Sequence, residues 1–147
     1  MHKAITFAAL TMALASAPAL GHHSFAMFDH GKVNKLSGMV KEFEYINPHA
    51  WLHLAVADAS GRMVTWSFEM GGVGQLVRDG WNRNSVAVGD SVEVSFHPLK
   101  DGSNGGQFLA IVYPDGRVLC QGGAGAEPCD PAAVTSPDFV HPNLSNF

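Results

Sequence analysis

Positive charge is scarce in this chain. Nine Lys and Arg face thirteen Asp and Glu, a formal net charge of −4. Phosphate recognition needs clustered Lys and Arg, so a nucleic-acid or anionic-membrane partner is not expected. Cysteine is scarce too: Cys120 and Cys129 are the pair, with no CxxC and no histidine interleaved, which makes a thiolate metal site the weaker alternative to a disulfide. There is no HExxH and no recognisable Ser, His and Asp motif. Gly71-Gly72-Val73-Gly74 opens a helical stretch but lacks the Lys-Ser/Thr of a P-loop. Beyond residue 20 no segment is apolar enough to span a bilayer. The sequence therefore carries no recognisable catalytic set, and a binding role is expected before an enzymatic one.

What is present begins with an export signal. Residues 4–20 are almost wholly small or apolar, follow Lys3, and end in Ala19-Leu20-Gly21. Small residues at −3 and −1 fit a signal peptidase, so residues 1–21 read as a cleaved leader and the mature chain as periplasmic. Cleavage would remove 21 of 147 residues and leave 126, with eight basic and thirteen acidic side chains, a net −5. That is enough chain for one domain with a core. An oxidising compartment favours a Cys120–Cys129 disulfide, which would stabilise the closed Gly-rich loop by about 2–3 kcal/mol.

The mature terminus would be His22. A terminal histidine offers one ion both its α-amine and a ring nitrogen, and nitrogen ligands in a tetragonal plane suit Cu(II). Copper is thus the expected metal, with His22 and His23 as its first ligands.

Residues 22–32 form a histidine-bearing arm, with Phe25 and Phe28 as its anchors. From residue 33 the pattern turns to β. Residues 35–46 read as a long first strand with a bend or bulge at Gly38. Ala50, Leu52, Leu54 and Val56 share one face of a second strand, and Val64, Trp66 and Phe68 one face of a third. Val73, Leu76 and Val77 have helical spacing, with Gly80 as the stop. Residues 91–96 and 107–113 complete the set, and a small hairpin follows at Asp115-Gly116. Three strands, a short helix and two strands predict an OB-fold-like five-stranded Greek-key barrel over 33–119, followed by a Gly/Pro-rich tail over 120–147.

His22-His23-Ser24-Phe25-Ala26, Phe28-Asp29, Asn47-Pro48-His49-Ala50-Trp51, Trp66-Ser67-Phe68-Glu69-Met70-Gly71 and Gly80-Trp81-Asn82-Arg83 together resemble the DUF6152 family, bacterial exported proteins whose function is not established. The resemblance covers roughly residues 22–118. It implies a periplasmic location and supplies no activity. Members often have Ala before the paired histidines, where this chain has Gly21.

Further ligands are sought at the strand ends. His49 and His53 lie about 13 Å apart along a regular strand, too far to share an ion, and His49 sits at the strand mouth. It is either a third ligand or a turn histidine bonded to backbone. His97 ends the fourth strand and is a weaker candidate, with an exposed loop histidine as the alternative. Glu69 is an oxygen ligand, an acceptor for a His N–H, or a solvated charge. Met27 and Met70 read as packing; Asp29, His30 and His141 read as surface residues. Two function classes stay open: a copper protein built on the terminal histidine, and a metal-free OB module that binds a partner protein or small ligand. A copper-brace redox enzyme ranks below both.

Overall fold

The computed structural model describes residues 25–122. The expected leader, His22, His23, Cys129 and His141 lie outside the described residues. A 3-10 turn at Phe25–Met27 precedes β1 (Asn34–Glu44), β2 (Trp51–Ala57) and β3 (Met63–Glu69). Then come α1 (Val73–Arg78), β4 (Ser91–Pro98), β5 (Gly105–Val112) and β6 (Val118–Cys120). No helix of the described residues is long and apolar enough to cross a membrane.

The strands run in the order β3-β2-β1-β4-β5, and β5 closes the ring by pairing with β3. That closing pair is parallel; the others are antiparallel. This is the small OB-like barrel that the element order predicts, and closure leaves the five strands without an open edge. The hairpin expected at Asp115-Gly116 adds a sixth strand, which pairs with the last residues of β5. It is only three residues long and runs into the Gly-rich tail, so it has too few residues to display a period.

Alternation puts Leu52, Leu54, Phe68, Val94 and Phe96 inside, all at 0–1% exposure. Burying such a side chain contributes about 1.5–3 kcal/mol. Leu76 of α1 and the adjacent Trp81 join the same core from one end, as expected of a plugging helix. Trp81 also donates its indole N–H to the Cys120 carbonyl at 2.7 Å, tying β6 to that end.

The expected bulge at Gly38 is displaced. Gly38 pairs regularly with Val92, and the β1–β2 register slips instead between Val40 and Glu42. Glycine is needed at 38 for packing: a Cβ there would meet Val56 Cγ2 at 2.8 Å and the Ala55 carbonyl at 3.0 Å. The slip lets Val40 and Phe43, three apart, both reach the core, and so turns Glu42 and Glu44 outward. A second irregularity opposite Ser95/Phe96 does the same for Phe108 and Ile111 of β5. Closure itself depends on Gly105-Gly106. A Cβ at 105 would run into the Ser67 carbonyl oxygen and one at 106 into that of His97, so only glycine lets β5 approach both neighbours.

Candidate metal centre

Because Phe68, Phe96 and Phe108 point inward, their neighbours Glu69, His97 and Gln107 point out of the barrel. Trp51, Glu69, Gln107 and His97 stand in register across β2, β3, β5 and β4, forming one band of the outer wall. At about 4.8 Å per strand, Glu69 and His97 are about 10 Å apart along it. All of Glu69, Gln107 and His97 are buried, so this part of the wall is covered.

The N-terminal arm supplies the cover over His97. Phe28, at 3% exposure, forms a β-bridge with Leu99. The Asp29 N–H donates to the Pro98 carbonyl at 2.8 Å, and the Lys100 N–H donates to that of Met27 at 2.9 Å. Lys100 Nζ adds a bond to the Ala26 carbonyl at 2.8 Å. The expectation that Phe28 anchors the arm therefore holds, while Phe25 is exposed and stacks on His30 with ring centroids 5.8 Å apart. Asp29 then turns the chain: its carboxylate accepts from the Gly31 N–H at 3.2 Å and pairs with Lys32 at 2.8 Å. The Lys32 partner holds the Asp29 carboxyl below its ordinary range.

That turn aims the Lys32 carbonyl at His97, whose Nδ1 donates to it at 2.7 Å. His97 is thus no exposed loop residue: it is 1% exposed, and among the described residues its Nε2 has no hydrogen-bond partner. Burial is the main cause that lowers its pKa from the ordinary 6.5, with His30 acting the same way, so the neutral ring is favoured. His30, expected at the surface, is partly buried and lies edge-on to His97, with centroids 5.0 Å apart and planes at 74°. Its Nε2 donates to the Phe25 carbonyl at 3.1 Å, and its buried Nδ1 is unpartnered.

At the other end of the band, His49 precedes β2 and directs Nδ1 onto the Glu69 carboxylate. The ring remains 40% exposed, which leaves Nε2 as its outward atom. Glu69 is therefore a hydrogen-bond acceptor for an imidazole, one of its three expected roles. His53 is occupied at both nitrogens, by Glu44 and by Ser67 Oγ, each at 2.8 Å. The donor atoms of Glu42, Glu44 and His53 lie within 4.8 Å of one another, an arrangement created by the β1 slip. Met70 is core, at 2% exposure, and Met27 lies exposed on the arm.

The described chain is thus a small closed OB-type barrel with an N-terminal arm folded over a histidine on its outer wall. It belongs to DUF6152, a family of unknown function whose model matches residues 9–108. No curated protein and no solved structure matches it.

Proposed function

We propose that the protein is exported to the periplasm, matures at His22, and binds copper there through the α-amine and ring of that residue. His23 and a barrel histidine, His49 or His97, fill the remaining positions of the ion. One observation carries this reading: the arm is pinned to the wall from Phe28 onward and covers His97. His22 lies only three residues before Phe25, so its Cα stays within about 11 Å of a residue already stacked on His30. A chelating terminus tethered this closely has a high effective concentration at the barrel histidines. The Glu69 carboxylate on His49 Nδ1 is the arrangement that commonly orients a metal-binding imidazole. A Cys120–Cys129 disulfide belongs to the same reading, closing the chain just after β6.

Exported protein tests it. Intact mass should correspond to a chain beginning at His22, and metal analysis after purification without chelators should give about one copper per chain. A mature start at Phe25 or later removes both histidines and ends the proposal. Correctly processed protein without copper affinity leaves the metal-free module as the better reading.

A further inference from the structure

We infer that His30 and His97 are copper ligands, through His30 Nδ1 and His97 Nε2. The inference deepens the terminal-histidine reading and rests on it for the identity of the ion.

The tautomers follow from the hydrogen bonds. A carbonyl oxygen only accepts, so His97 Nδ1, bonded to the Lys32 carbonyl, must carry a proton. The neutral ring then has its lone pair on Nε2. The same logic applies to His30: Nε2 donates to the Phe25 carbonyl, and the lone pair lies on Nδ1. Among the described residues, those two lone-pair nitrogens are the buried ring atoms without a partner. Gln107 Oε1, on the residue opposite His97 in the register, is a third buried acceptor without a donor. Three buried acceptors thus lie on these elements with no hydrogen-bond donor paired to them among the described residues. A cation supplies what is missing.

The geometry of the pair agrees. An imidazole nitrogen about 2.0 Å from an ion places its ring centroid roughly 3 Å away, so two rings whose bonds to one ion meet at a right angle have centroids roughly 4.5 Å apart. The observed centroid separation is 5.0 Å. Each ring is already held by a backbone carbonyl at its other nitrogen, the second-shell arrangement that orients metal-ligating histidines. His49 differs, because its free nitrogen belongs to a 40% exposed side chain and can be satisfied by water.

The test is a Cu(II) titration against a competing chelator, with pulsed EPR to count bound imidazoles. It uses the full mature chain, the same chain with one added N-terminal residue, and the variants His30→Gln, His97→Gln and His53→Ala. His30→Gln should weaken Cu(II) by at least about tenfold, the scale on which even outer-shell partners act, and remove one imidazole from the spectrum. His97→Gln should do likewise; because that ring is in the packed wall, the partly exposed His30 provides the variant expected to fold normally. His53→Ala should leave both readouts unchanged, since both of its ring nitrogens are already bonded. Wild-type affinity and imidazole count in His30→Gln would overturn the pair, whatever the extended chain does. If extension weakens binding while His30→Gln does not, the terminal chelate stands and the pair falls. If His30→Gln weakens binding while extension does not, the pair stands and the terminal chelate falls.

Discussion

Phe28→Ala should detach the arm and leave the barrel folded. Phe28 is 3% exposed, yet it lies outside the main core cluster, and its backbone partner is Leu99 rather than any barrel interior residue. Truncating a buried Phe costs about 3–5 kcal/mol. Nearly all of that falls on arm docking, where even 3 kcal/mol shifts the docked-to-open ratio by more than about 100-fold. Native-state amide exchange reads the effect directly. The Asp29 and Lys100 amides donate across the arm–wall seam and should exchange much faster in the variant. The Leu52 and Leu54 amides of β2 should keep their protection. Copper affinity should fall toward that of a free terminal chelate, because the arm no longer presents its ligands to the wall. Unchanged protection at Asp29 and Lys100 would refute the view that Phe28 holds the arm. Loss of protection throughout β2 would show instead that the arm belongs to the core.

Two further outcomes are expected. Thiol labelling of unreduced exported protein should detect neither Cys120 nor Cys129; two reactive thiols would contradict the disulfide. Alkaline stability should depend on Tyr113, which donates to the Ser85 carbonyl at 2.6 Å and whose phenol burial holds above its ordinary pKa of 10.0. The folded-state pKa is raised, so this contribution is complete below the unfolded value near 10 and is lost as pH rises through the folded one. Urea midpoints should fall more steeply above pH ~10 in wild type than in Tyr113→Phe, and parallel slopes would contradict the assignment.

The barrel was legible because its strands carry a two-residue period and its turns carry Asp and Gly at the right places. Leu52, Leu54 and Phe68 announce the core from their alternation alone. The bulges were not legible: the Val40/Glu42 slip depends on how β1 meets β2, and no local pattern distinguishes it from a bend at Gly38. Nor does the sequence show that Gly105-Gly106 lets two neighbouring carbonyls come close. The site was half legible. His97 and Glu69 were singled out as strand-end residues, but their shared band arises from the parallel β3–β5 closure, which sequence spacing does not encode. His30 was missed because its position comes from the Asp29–Lys32 turn folding back onto β4. The Asp29-His30-Gly31 turn chemistry was the one available hint.

The most direct measurement is a Cu(II) competition titration of the chain beginning at His22 beside the same chain carrying one extra residue before it. Extension converts the terminal amine to an amide and destroys the chelate it shares with the His22 ring, without touching the barrel. The native terminus should bind about one Cu(II) more tightly than the extended chain. Equal affinities for the two termini would contradict the account.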